Sequence, residues 1–186
     1  PQTSPFHPCL VECIVVDSAA PITGTQARLY RTEDALSLSL ESRGLVPGNV
    51  YTVWFVVVNE PEYCVSNPSG PLRCGAPDIF NPVTKAAHVW AGAGGAARID
   101  GTVSFTGYLE VGDLSHVVFP WEPGLLDPIG SEVVVALRDH GPSVDVPDQT
   151  STMNGSCFQA IVMPGTGTPG TNMCENRQAA MFPAAA

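Results

Sequence analysis

Hydrophobic and polar residues alternate with a period of two along much of the chain, the spacing of a β-strand rather than a helix. Leu36, Leu38 and Leu40 alternate with Ser37, Ser39 and Glu41, and Ile99, Val103, Phe105 and Leu109 with Asp100, Thr102, Ser104 and Tyr108. Both stretches read as half-buried strands. Thr25 to Arg31 reads as a strand too, and the Arg31-Thr-Glu-Asp34 turn makes it a hairpin partner of the leucine strand. The alternation stops at residues 50–58. After the turn residues Pro47, Gly48 and Asn49, Val50, Thr52, Trp54, Val56 and Val58 face one way and Tyr51, Val53, Phe55 and Val57 the other. Neither face is polar, so this strand is expected to be central and covered on both sides. A two-layer sandwich covers one face; something further must cover the other.

Three more strands are expected. Cys9 to Val16 is apolar on both faces, Lys85 to Ala91 is short, and Glu132 to Arg138 is rich in valine. Gly92-Ala-Gly-Gly95 is read as turning the chain, and Gly101 and Gly107 as bulges or points of close backbone approach. Residues 1–8 read as irregular, and Glu175 to Met181 as one short helical turn. Residues 59–84 form a 26-residue loop with five prolines, a length that is usually functional or stapled. Residues 112–130 and 141–173 are likewise loop-like. The fold class that follows is all-β, an antiparallel, immunoglobulin-like β-sandwich with long stapled loops and irregular terminal extensions. The expected division is an N-terminal extension at 1–22, a sandwich at 23–140 and a loop-rich tail at 141–186.

Two motifs carry a family resemblance. Gly44-Leu-Val-Pro-Gly48 and, downstream, Lys85-Ala-Ala-His-Val-Trp-Ala-Gly-Ala-Gly-Gly95 resemble the "GL-x-PG" turn and "AH-I-H-x-G" strand of chordin-type (CHRD) domains. The resemblance covers about residues 24–140, and Trp90 stands where that family has its second histidine. It implies a secreted β-sandwich and no defined activity, and it leaves the strand at 9–16 and the tail outside.

Charge narrows the partners. Eighteen acids against eight bases give a formal net charge of −10, with one lysine, Lys85. No basic patch is available for phosphate contacts, which argues against nucleic acid and anionic membrane surfaces. No apolar run approaches the ~18 residues of a spanning helix. A chain opening on Pro1 is expected of a secreted protein whose signal peptide has been removed.

Six cysteines suit an oxidising compartment. Cys64 and Cys74 flank a Pro/Gly-rich loop and are expected to pair, as are Cys157 and Cys174. Cys9 and Cys13 would lie about 13 Å apart on one face of a regular strand, too far to bridge. Either that segment turns, or these two reach other cysteines, on this chain or another. Asn154 opens an N-glycosylation pattern, and Thr166, Thr168 and Thr171 lie in a mucin-like context.

Candidate chemistry is sparse. His88, His116 and His140 have no second ligand at a short metal spacing, so packed histidines are the simpler account and no metal or cofactor is expected. No hydrolase or phosphate-binding motif occurs, and Asp139 and His140, as strand neighbours, point to opposite faces. Catalytic residues are therefore not expected. The apolar strand at 9–16 suggests donor-strand exchange between copies. Leu10, Val11, Ile14, Val15 and Val16 would be the donor side chains, and the sheet with Trp54, Phe55 and Val57 the receiving groove. The expected function is an extracellular structural subunit, self-assembling head to tail. The alternative is a monomeric glycan- or ligand-binding module using aromatics such as Trp54, Trp90, Trp121, Tyr63 and Tyr108.

Overall fold

A computed structural model describes residues 1–9, 20–66, 72–75, 78, 87–91, 95, 96, 98, 100–115, 123–143 and 175–185. The chain is an antiparallel β-sandwich of two sheets. Its strands are β1 (Gln2–Ser4), β2 (His7–Pro8), β3 (Gln26–Arg31), β4 (Ala35–Ser42), β5 (Asn49–Val58), β6 (Ala87–Ala91), β7 (Gly95–Ala96), β8 (Val103–Glu110), β9 (Glu132–Pro142) and β10 (Glu175–Phe182). One sheet has the order β1-β3-β4-β8. The other has the order β2-β10-β9-β5-β6, with β7 also on β5.

The period-two pattern explains the first sheet. Ala27, Leu29, Leu36, Leu38, Leu40, Val103 and Leu109 point inward and are buried, while the intervening Ser, Thr, Tyr, Arg and Glu residues face outward. Tyr51, Val53, Phe55 and Val57 of β5 meet them from the second sheet, with Val133, Val135 and Leu137 of β9 and Ala180 and Phe182 of β10. The crossing from β4 to β5 depends on Gly101. Its φ is +71°, and a Cβ there would lie 2.4 Å from the Leu45 carbonyl oxygen, so only glycine allows this approach. Gly107 is not a bulge; it pairs with Leu38 in unbroken register.

The second face of β5 is also covered, by the chain itself. Val56 and Val58 pack with Val134, Ala136 and Ala179 beneath Cys64, Leu72 and Cys74 of the long loop. The Cys64–Cys74 disulfide is formed, with Cα atoms 5.0 Å apart. Two carboxylates pin this loop. Glu132 accepts from the Arg73 and Cys74 N–H groups at 2.8–3.2 Å, and Asp78 from those of Val65, Ser66 and Gly75 at 3.1–3.2 Å, besides the Ser66 hydroxyl.

Four sequence expectations are corrected. Residues 1–8 are not irregular: β1 pairs with β3 and β2 with β10, and wholly buried Phe6 lies between them. Prolines at 5 and 8 hid this, but edge strands tolerate proline because their outer N–H needs no partner. Glu175 to Met181 is a strand, not a helical turn, because packing of Ala179, Ala180 and Phe182 outweighs weak β-propensity. The sandwich therefore extends beyond 23–140 at both ends. Finally, β6 and β7, on either side of the expected turn at residues 92–95, run in the same direction, and residues 92–94 themselves lie outside the described residues. β6 and β7 both run antiparallel to β5, Ala91 opposite Trp54 and Gly95 opposite Tyr51.

Candidate functional site

Among the described residues no strand pairs with the outer side of β8, which is the last strand of its sheet. The backbone direction along this edge follows from the hydrogen bonds around it. Val111 N–H donates to the Asp34 carbonyl at 2.9 Å, so odd-numbered residues of the adjoining β8 turn their N–H groups toward β4. Ser104, Thr106, Tyr108 and Glu110 therefore point their N–H and C=O groups away from the sheet. All eight residues pair with β4 without a register break, and β8 contains no proline and no lysine. Within β8 itself the one device that blunts an edge strand is a terminal glutamate, and there the chain closes the edge: the Glu110 carbonyl accepts from the Asp113 N–H at 3.2 Å and Val111 bridges to Leu125. At the opposite edges, β1 and β2 are only three and two residues long.

The outward face of this sheet is polar, with two aromatic side chains on it. Tyr30 and Tyr108 both sit opposite Ser37, one on each side, and are 45% and 54% exposed. Two inter-strand spacings put them about 9.5 Å apart. Below this row lies an open groove of about 310 Å³ lined by Gln26, Arg28, Ser39, Glu41, Ser104 and Thr106, with Leu40 and Phe105 also in its lining. Tyr108 donates to Glu110 at 3.1 Å, an interaction that raises its phenol pKa.

The six-stranded sheet has a different outer surface. Beyond the stapled loop its β5–β9 end carries Thr52, Trp54, Arg138 and His140. The Arg138 guanidinium stacks 4.4 Å from the centre of the Trp54 ring, and its Nε donates to Asn176 Oδ1 at 2.9 Å. Burial pushes the Arg138 pKa down to about 10, which still leaves it charged at neutral pH. His140 Nε2 lies 2.7 Å from Thr52 Oγ1. Asp139 is turned to the inner side, where its carboxylate accepts from Asn49, Tyr51, Arg177 and the Gly141 N–H at 2.8–3.3 Å. Asp139 and His140 thus have separate partners on opposite faces, as strand alternation requires. Among the described residues no three His, Cys, Asp or Glu side chains come together.

Of the expected receiving residues, Phe55 and Val57 are wholly buried between the sheets, and only Trp54 faces outward. Cys9 is disulfide-bonded, its N–H donates to Arg177 at 2.9 Å, and its partner cysteine lies outside the described residues. Leu10, Val11, Cys13, Ile14, Val15, Val16, His116, Trp121, Asn154, Cys157, Thr166, Thr168, Thr171 and Cys174 also lie outside them. The Ile22 N–H donates to the Phe6 carbonyl at 2.8 Å. Cys9 and Ile22, which flank the expected donor segment, are thus both held to the sandwich, and the segment itself lies outside the described residues. Of the aromatics named for ligand binding, Tyr63 and Tyr108 are 62% and 54% exposed. Sequence reasoning passed over Arg138, Tyr30 and Thr52. The readable sign was a lone cation closing the apolar run Glu132 to Arg138, on the same face as Val134 and Ala136.

Comparison of the chain with protein-family models and with curated proteins found no match.

Proposed function

We propose that this protein is a secreted, non-enzymatic structural subunit that assembles with copies of itself by strand addition at β8. The observation that carries the reading is the regular edge of β8, which no strand among the described residues pairs, with outward N–H groups at Ser104, Thr106, Tyr108 and Glu110. An edge of that length is a template for another strand unless something blocks it. The apolar segment containing Leu10, Val11, Ile14, Val15 and Val16, offered by a neighbour, is the donor in this reading. The residues on either side of it, Cys9 and Ile22, are hydrogen-bonded to the sandwich. Head-to-tail addition of this kind does not close and produces a filament. The disulfide-stapled loop and the resemblance to chordin-type domains support an extracellular setting.

The test is negative-stain microscopy and light scattering of concentrated protein, beside Thr106→Pro. That substitution removes an outward N–H while leaving the β4 ladder intact. Filaments in the wild type and monomers of unchanged circular dichroism in the variant are expected. A wild type that stays monomeric, or forms only closed dimers, overturns the filament.

A second reading, glycan binding, has its own observation in the Tyr30–Ser37–Tyr108 row above a polar groove. Aromatic rings at that spacing offer stacking faces, with Ser, Thr and Gln side chains beside them for hydroxyls. Binding on a glycan array that disappears with Tyr108→Ala would favour it.

A further inference from the structure

We propose that the outer face of the six-stranded sheet holds a site for a small monocarboxylate, with Arg138 Nη1 and Trp54 Nε1 as its two hydrogen-bond donors. Arg138 is 7% exposed. Its Nη1 and the Trp54 indole Nε1 are both buried and have no hydrogen-bond partner among the described residues. Each such orphan donor costs about 1–3 kcal/mol, so a native fold that keeps two within one stacked Arg–Trp pair calls for an acceptor.

The missing acceptor is an anion. Among the described residues no carboxylate pairs with Arg138. Its sequence neighbour Asp139 faces the opposite side of the sheet and is engaged by Asn49, Tyr51 and Arg177. A buried cation without a counter-charge is among the costlier arrangements in a protein interior. Asn176 already fixes the guanidinium through Nε and the indole ring fixes its plane, so the donors are held in place.

The chemistry of the site selects the class of ligand. Two donors, one charged and one neutral, match the two oxygens of a carboxylate. A single cation balances one negative charge, and a chain of net charge −10 repels dianions such as sulfate.

The experiment titrates the full-length, oxidised protein with sodium acetate, sodium chloride and sodium sulfate at matched ionic strength. The readouts are the Trp54 indole N–H resonance, assigned by its loss in Trp54→Phe, and the thermal midpoint. Acetate is expected to move the resonance saturably and to raise the midpoint, while chloride and sulfate do neither. Arg138→Met should abolish the acetate response. Trp54→Phe keeps an aromatic ring but loses the donor, and should weaken the acetate-induced rise in midpoint about tenfold in concentration. If Arg138→Met does not fold, Trp54→Phe alone decides. No saturable response to acetate, an equal response to chloride, or a response unchanged in the folded variant would overturn the proposal.

Discussion

Arg31 Nη2 donates to the carbonyl oxygen of Pro183 at 3.1 Å, joining the end of β3 to the end of the chain. The same guanidinium reaches Gln2 Oε1, the Pro128 carbonyl, and both the carbonyl and the hydroxyl of Ser131. Burial lowers its pKa to about 10 against the raising influence of Asp127, so it stays charged while holding three carbonyl oxygens together. Arg31→Met should therefore destabilise by about 2–4 kcal/mol, because those acceptors lose a charged donor. Exposed Arg28, whose Nε bonds Gln26, is the control. Arg28→Met should fall within about 0.5 kcal/mol of wild type in urea unfolding.

The loop over Val56 and Val58 provides a second test. Cys64→Ala/Cys74→Ala opens a short covalent loop, which by chain entropy alone costs about 2–4 kcal/mol. It also loosens the cover on Val134 and Ala136. We expect a lower thermal midpoint together with new binding of a hydrophobic dye. An unchanged dye signal would mean that the apolar face is sealed without the loop.

That face also shows how far the chain could be read before folding. Doubly apolar β5 had to be central and doubly covered, and it is, but the covering element was not readable. Among the described residues Leu72 is the one large apolar side chain between the two loop cysteines that packs there, too little to show as a pattern. The hairpin of β3 and β4 and the half-exposed β8 were legible because each has one wet face and one dry face. β10 was not, since Glu175, Asn176, Arg177 and Gln178 carry no β signal. Its place is set by β9 on one side and the N-terminal residues on the other. Arg138 and Trp54 lie 84 residues apart in sequence, and only the β5–β9 register brings them together.

Acid should act on the stapled loop in two opposed ways. Burial pushes the Asp78 carboxyl up, but hydrogen bonds from the Ser66 hydroxyl and the Gly75, Val65 and Ser66 N–H groups outweigh it and hold the pKa below its usual value. Its contribution is therefore present above the unfolded carboxyl's pKa and lost as pH falls through the lower folded one. Glu132 is shifted upward, chiefly by burial, despite the Arg73 and Cys74 N–H groups. Its contribution declines as pH rises from the unfolded value through the raised one. Asp78→Asn should cost about 1–3 kcal/mol at neutral pH, with the deficit shrinking in acid. Glu132→Gln should flatten the slope in the weakly acidic range. Denaturant melts across pH for both variants check the two signs.

At the alkaline end the informative group is Tyr51. Its hydroxyl accepts from the Val46 N–H at 3.0 Å and donates to Asp139 Oδ2 at 3.2 Å. Burial is the main cause that raises its pKa to about 12; the Val46 hydrogen bond pulls it back and Asp139 adds to the rise. In the unfolded chain the phenol loses its proton near pH 10. Between about 10 and about 12 the folded state therefore holds one proton more than the unfolded state, and stability falls with rising pH across that window. Tyrosinate absorbance of the native protein should show a late component that Tyr51→Phe removes. The same variant should unfold with a shallower alkaline slope, at a cost of about 1–2 kcal/mol at neutral pH from the lost Asp139 and Val46 bonds. If the late component persists in Tyr51→Phe, it belongs to another tyrosine and the assignment to the buried ring fails.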